Sequence, residues 1–131
     1  MITKGIKQLC DEAEAEIETL SVEQAQALHG QEGVTFVDIR DIRELWRDGA
    51  IPGAVHAPRG MLELWVDAGS PYHRDVFASG SKFVFFCAGG LRSALATQAV
   101  QRMGLTPVAH IRGGFGAWRD AGGPTETVEK K

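Results

Sequence analysis

Residues 82–103, KFVFFCAGGLRSALATQAVQRM, leave this chain few folds to choose from. Phe83, Val84, Phe85 and Phe86 make a short aromatic and β-branched run, the pattern of a strand covered on both faces. Cys87 follows, and then Ala88-Gly89-Gly90-Leu91-Arg92, a turn whose two glycines permit backbone geometry that other residues resist. From Ser93 to Met103, Leu95, Ala96, Ala99, Val100 and Met103 recur on one helical face. Ala94, Thr97, Gln98, Gln101 and Arg102 recur on the other. Gly104 supplies the stop.

One cysteine therefore sits where a central strand ends and a helix begins. The amides of a glycine-bearing turn can converge as a nest, and the free N–H groups of the helix's first turn join them. Such a ring prefers an anion. An unperturbed thiol is only a few per cent thiolate at neutral pH, whereas helix N-termini and nearby cations bring thiol pKa values down to roughly 3.5–7.5. Cys87 is the candidate nucleophile, with Arg92 as its neighbouring cation. The plainer alternative is a cysteine that only packs. Its place at the carboxyl end of a strand, where open α/β sheets bind ligands, argues for chemistry.

The rest of the chain alternates helices with strands. Residues 5–18 repeat Ile6, Leu9, Cys10, Ala13 and Ile17 at helical spacing, opposite an acidic face of Asp11, Glu12, Glu14, Glu16 and Glu18. An amphipathic helical extension is expected over 1–18, lying on its own subunit or on a second copy, in which case it would build a homo-oligomer. Cys10 falls on the apolar stripe and reads as packing. Ser21 and Gln24 form a capping box that opens a helix closing near Gly30. VTFVDI, residues 34–39, is a strand with Asp38 and Arg40 at its carboxyl end, and Asp41 with Glu44 makes a second box. Further strands are expected at 54–56 and 106–111, and helical turns at 61–66 and within 72–78. A last helix carries Phe115 and Trp118. Trp65, Tyr72 and Phe77 are core or lid aromatics placed to shape an apolar rim beside Cys87. Residues 126–131 form a tail expected to fray. Alternation of this kind calls for a parallel sheet covered on both faces.

A length of 131 residues suits one domain with a real core. The net charge of −3 gives no reason to expect nucleic acid. No apolar run approaches the roughly 20 residues of a membrane span, and MITKGIKQLC lacks the apolar segment of a secretion signal. Cys10 and Cys87 have no metal-ligand spacing. His29, His56, His73 and His110 have no partner at metal or dyad spacing, so they read as structural or solvated. No metal and no other cofactor is expected. Gly113-Gly114-Phe115-Gly116 lacks the spacing of a dinucleotide fingerprint. Two free thiols fit a reducing, cytoplasmic setting.

Four stretches carry a family resemblance: VDIRDIREL (37–45), AIPGAVHAPRG (50–60), FFCAGGLRSA (85–94) and HIRGGFGAW (110–118). In this order they make the chain resemble the single-domain rhodaneses over residues 19–125. The resemblance implies an α/β, rhodanese-like domain: a five-stranded parallel sheet with helices on both faces, here carrying the N-terminal helix. It also implies a sulfurtransferase. Cys87 would take a sulfane sulfur from a donor such as thiosulfate or a small or protein-borne persulfide, and yield it to a thiol or cyanide. The amides of Ala88, Gly89, Gly90, Leu91, Arg92 and Ser93 would hold the sulfur. Asp38, Arg40 and Arg59 would support the loop, with Arg92 expected to pair with Asp38 and brace it rather than face the substrate. Four residues separate Cys87 from Arg92, one fewer than in the cysteine phosphatases, and the tighter ring suits a lone sulfur better than a phosphoryl group. A non-catalytic binding module and a phosphatase or arsenate reductase are the alternatives. Two-domain rhodaneses carry basic side chains where this chain has Ala88 and Gly89, so weak thiosulfate binding is expected.

Overall fold

The computed structural model describes residues 1–131. Five strands form one parallel sheet: β1 (Glu18–Leu20), β2 (Val34–Asp38), β3 (Val55–His56), β4 (Lys82–Phe86) and β5 (Val108–Ile111), in spatial order β1-β5-β4-β2-β3. Helices α1 (Ile6–Glu16), α2 (Val22–Leu28), α3 (Ile42–Asp48), α4 (Leu62–Val66), α5 (Leu91–Arg102) and α6 (Gly114–Asp120) fill the connections, with 3₁₀ turns at Arg59–Met61 and Asp75–Ala78. The five-stranded parallel sheet and its helical cover are as expected. The helix expected over 5–18 stops at Glu16, because Glu18 already belongs to β1, which pairs with β5 from Glu18–Ala109 to Leu20–Ile111. No helix is long and apolar enough to cross a membrane.

The side-chain alternation of a strand places the chemistry. Val84 and Phe86 of β4 pack with Leu20, Phe36, Ile111, Phe115 and Trp118 on one face. Phe83, Phe85 and Cys87 point to the other, among Val37, Leu62, Phe77, Ala96 and Val100. Each such burial contributes about 1.5–3 kcal/mol, so β4 is a rigid rail and the loop at its end starts from a fixed point. Phe77 lies on Phe83, ring centroids 5.4 Å apart, at the far end of that rail. Tyr72 is exposed and Trp65 stacks under Arg74. Phe77 is therefore a core aromatic in the same cluster as Cys87, with Trp65 half-buried against it, and Tyr72 takes no part in it.

Local capping is partly as read. Ser21 Oγ accepts the Gln24 N–H and the Gln24 side chain accepts the Ser21 N–H, a complete box. Asp41 caps α3 through the Arg43 N–H at 2.9 Å, but Glu44 does not close a second box, because its carboxylate is engaged elsewhere. Helix α5 starts at Leu91, and its buried residues are Ser93, Ala94, Ala96, Thr97 and Val100, while Met103 is exposed. The helix has two covered sides. The sheet takes Ala96 and Val100, and α1 takes Ala94 through Cys10 and Ala13. Helix α1 thus lies on α5 of its own chain, tied there by Gln98 and Gln101, which donate to Glu16 at 2.7 Å each. Glu126 and Ala50 exchange backbone hydrogen bonds of 2.8 and 2.9 Å, so the tail expected to fray is pinned at its first residue.

Candidate active site

The carboxyl edge of the sheet is built on a buried ion pair. Arg40 curls back on Asp38, with Nε 3.0 Å from Oδ1 and Nη2 2.7 Å from Oδ2, and both side chains are sealed from solvent. Nη2 also donates to the Gly49 carbonyl, and the guanidinium lies 4.2 Å over the Phe115 ring. Asp38 is therefore not the partner of Arg92. Arg40 is two residues away and buried with it, and a buried carboxylate with a bidentate guanidinium has no room for another.

Arg92 reaches across to α3 instead. Its Nη1 and Nη2 donate to Glu44 Oε1 and Oε2 at 2.8 and 3.1 Å. This pair holds the Glu44 carboxyl below its usual range, chiefly through the Arg92 hydrogen bonds. It raises Arg92, chiefly through the Glu44 hydrogen bonds, and the Cys87 side chain adds to this. Bracing is the role expected of Arg92, and the brace is a different carboxylate. Arg59 pairs with Glu63 on the neighbouring helix at 2.6 Å and makes no hydrogen bond to the loop.

Cys87 is 1% exposed at the mouth of this edge. The Gly90 N–H points at Sγ from 3.1 Å and the Ser93 N–H from 3.4 Å, with Ser93 Oγ at 3.6 Å. The amides of Ala88, Gly89, Leu91 and Arg92 make no hydrogen bond to the sulfur, and none of them is spent on a turn or loop bond. Gly90 turns the chain at φ +104°, in the left-handed region that favours glycine. What aims the amides inward is the opposite pull on the carbonyls. The Phe115 N–H takes the Cys87 carbonyl at 2.8 Å and the Gly116 N–H takes that of Ala88 at 3.1 Å. Gly114, at φ +60°, lies so close beneath that a Cβ there would overlap the Cys87 oxygen. The Gly-Gly-Phe-Gly turn, which lacks the spacing of a dinucleotide fingerprint, is the clamp of the cysteine loop.

Over residues 21–121 the chain matches the rhodanese-like domain. It belongs to that family. A sulfurtransferase of Allochromatium vinosum is 33% identical over 105 residues, covering 80% of this chain and 90% of that protein. Among solved structures, a Rhodopseudomonas palustris protein of unknown function, named a possible tyrosine phosphatase, is 61% identical. It superposes with a TM-score of 0.94 over 96% of this chain and 97% of its own. A thiosulfate sulfurtransferase of Pseudomonas aeruginosa is 27% identical with a TM-score of 0.75, matching 96% of this chain but only 23% of that longer one.

Two participants of this rhodanese-like site do not stand out in the sequence as site residues. Glu44 reads there as part of a cap, and no spacing rule links it to Arg92, 48 positions later. His110 has no sequence neighbour of catalytic type. In the fold its Nδ1 lies 2.9 Å from Ser93 Oγ. Its alternation with Ile111 puts it on one face of β5, but which face α5 covers is a matter of topology.

Proposed function

We propose that this rhodanese-like protein is a sulfurtransferase that carries a sulfane sulfur on Cys87. The observation that carries the reading is that the two main-chain N–H groups of Gly90 and Ser93 converge on Sγ from 3.1 and 3.4 Å. Phosphoryl transfer needs a loop wide enough to wrap three phosphate oxygens, and the loop here has only four residues between Cys87 and Arg92. Holding one sulfur anion needs only aligned dipoles. This weighs against the phosphatase named for the Rhodopseudomonas palustris protein.

In the first half-reaction the Cys87 thiolate attacks the outer sulfur of the donor. A new S–S bond forms, the donor's own bond to that sulfur breaks, and the leaving group departs with the bonding pair, as sulfite when the donor is thiosulfate. In the second, an acceptor thiolate or cyanide attacks the terminal sulfur and the Cys87 thiolate is released. The amides of Ala88, Gly89, Leu91 and Arg92, which no turn or loop carbonyl takes up, would receive the outer sulfur. Arg92 and Arg59 are each matched by a carboxylate, so a small or protein-borne persulfide suits the site better than dianionic thiosulfate. Free thiols at Cys10 and Cys87 fit work in a reducing cytoplasm.

The test is intact-mass analysis after exposure to thiosulfate and to a low-molecular-weight persulfide, beside Cys87→Ser. A gain of one sulfur atom, absent from the variant and removed by cyanide, is expected. No gain from either donor, together with Cys87-dependent hydrolysis of an aryl phosphate, would establish the phosphatase instead. Inertness in both assays would leave a binding module.

A further inference from the structure

His110 is a buried titratable group at this site that the sulfur-transfer reading does not use. It is 1% exposed, on the same face of β5 as Val108, directly under the start of α5. Its two ring nitrogens have unlike surroundings. Nδ1 is 2.9 Å from Ser93 Oγ. Nε2 has no hydrogen-bond partner, and a carboxylate oxygen of Glu14, from the overlying α1, stands 3.8 Å away. A carboxylate beside Nε2 favours the proton on that nitrogen, which leaves Nδ1 as the acceptor. The Ser93 hydroxyl then donates to His110, and its oxygen lone pairs face the Cys87 thiol at 3.6 Å. Cys87, Ser93, His110 and Glu14 thus form one line from the sulfur to the N-terminal helix.

We propose that His110 receives the proton of Cys87 through the Ser93 hydroxyl, so that the thiolate forms without releasing a proton to solvent. The balance is simple. The S–H bond breaks as that proton joins Ser93 Oγ, while the hydroxyl's original proton passes to Nδ1. The products are a thiolate and an imidazolium. The Ser93 O–H now donates to sulfur as a third donor beside the Gly90 and Ser93 amides, and the imidazolium Nδ1–H donates to Ser93. His110 touches no reacting atom and is a positioning residue acting through Ser93.

Of the groups around the imidazole, the Glu14 carboxylate favours the imidazolium this step makes, while burial and Arg112 oppose it. Burial holds His110 below its ordinary range, opposed by the Glu14 carboxylate from α1, with Arg112 at the end of β5 adding a smaller downward push. The ring is therefore neutral and able to accept at neutral pH. Arg112 stands 4.0 Å from Glu14 and draws on the same carboxylate. No cation contacts the imidazole. Helix α1 thereby gains a part in the chemistry, because it supplies the carboxylate that steadies the imidazolium.

This inference deepens the sulfurtransferase reading, and its test needs no sulfur donor, so the two fail separately. The full chain is alkylated with iodoacetamide from pH 5 to pH 10, the rate at Cys87 being read by peptide mass, for wild type, His110→Asn, Ser93→Ala and the double variant. Asn can keep a hydrogen bond to Ser93 but takes no proton. The alkylation midpoint is expected to rise by about one pH unit in each single variant, roughly tenfold in reactivity below it. The double variant should match Ser93→Ala alone. A His110→Asn profile that superposes on wild type overturns the relay, as do fully additive shifts. Glu14→Gln is the second probe should His110→Asn not fold: it leaves both relay groups in place, and an unshifted midpoint there also counts against the proposal.

Discussion

Replacing Gly114 with alanine tests whether the cysteine loop is held open by its carbonyls. Gly114 has φ +60°, and an added Cβ would overlap the Cys87 carbonyl oxygen and stand 2.8 Å from that of Ala88. Both obstacles are main chain and cannot swing aside. The left-handed conformation costs an alanine about 1–2 kcal/mol, and forced overpacking adds about 1–3 kcal/mol. The sum, about 2–5 kcal/mol, is a large part of the roughly 5–15 kcal/mol that holds a domain folded. At about 4 °C per kcal/mol for a chain of this size, the melting temperature should fall by roughly 8–20 °C. The natural control is Gly122→Ala. Gly122 also has positive φ, +79°, but a methyl group added there would meet nothing within 4 Å, so only the conformational cost of about 1–2 kcal/mol applies. At a temperature where both variants are folded, Gly114→Ala should alkylate Cys87 several-fold more slowly at neutral pH than Gly122→Ala, because relief of the overlap pushes the Cys87 and Ala88 carbonyls off the Phe115 and Gly116 amides. Equal melting temperatures and equal Cys87 reactivity in the two variants would refute the clamp.

Two further substitutions address the ion pairs at the sheet edge. Glu44→Gln frees Arg92. With Arg92 partly exposed, the loss should be about 1 kcal/mol at pH 7. Because the Glu44 carboxyl titrates lower when folded, that stabilisation is fully present above the unfolded carboxyl range near pH 4.3. It disappears as pH falls through the folded value, so melting curves of variant and wild type should converge at low pH. The same variant should lower KM for thiosulfate, since an unmatched guanidinium then faces the loop; an unchanged or higher KM means Arg92 does not reach donor. Asp38→Asn leaves the Arg40 guanidinium buried without its counter-charge and should cost about 3–5 kcal/mol in denaturant titration. A loss below about 1 kcal/mol would show that the pair does not hold the edge.

The parts of this structure legible in the sequence are those with a local cause. The β4–loop–α5 unit, the Ser21–Gln24 box and the alternating strands each follow from neighbours a few residues apart. What the sequence hides depends on crossovers. β1 is three residues long and gains its identity only from β5 beside it. The single apolar face expected of α5 is incomplete because α1, distant in sequence, covers Ala94, so that helix buries two stripes rather than one. Asp38 and Arg92 look complementary in the sequence because both belong at one sheet edge. In the fold Arg40 is already committed at 2.7 Å from Asp38, and Glu44 stands within reach of Arg92. His110 looks inert for a similar reason: a dyad formed across a crossover has no characteristic spacing.

If the proposed sulfur transfer holds, the charges around Cys87 would let the site tell one sulfur donor from another. Arg40 is matched by Asp38, Arg92 by Glu44, Arg59 by Glu63, and Arg112 stands over Glu14. With those cations matched by carboxylates, much of the task of holding an anion at Sγ falls to groups of no net charge: the Gly90 and Ser93 amides and the Ser93 hydroxyl. Dipoles fixed by a clamped loop act at short range on whatever atom they touch, whereas net charges attract any anion within about 10 Å at ordinary ionic strength. A collar of dipoles therefore suits a single sulfur bearing one negative charge and gives no long-range advantage to a dianion. Ala88 and Gly89, which add neither charge nor bulk at the lip of the loop, serve the same end. Under the proposed reaction the donor would be chosen by what its outer sulfur meets at contact, and a persulfide whose remaining bulk stays in solvent would meet the collar on equal or better terms than thiosulfate.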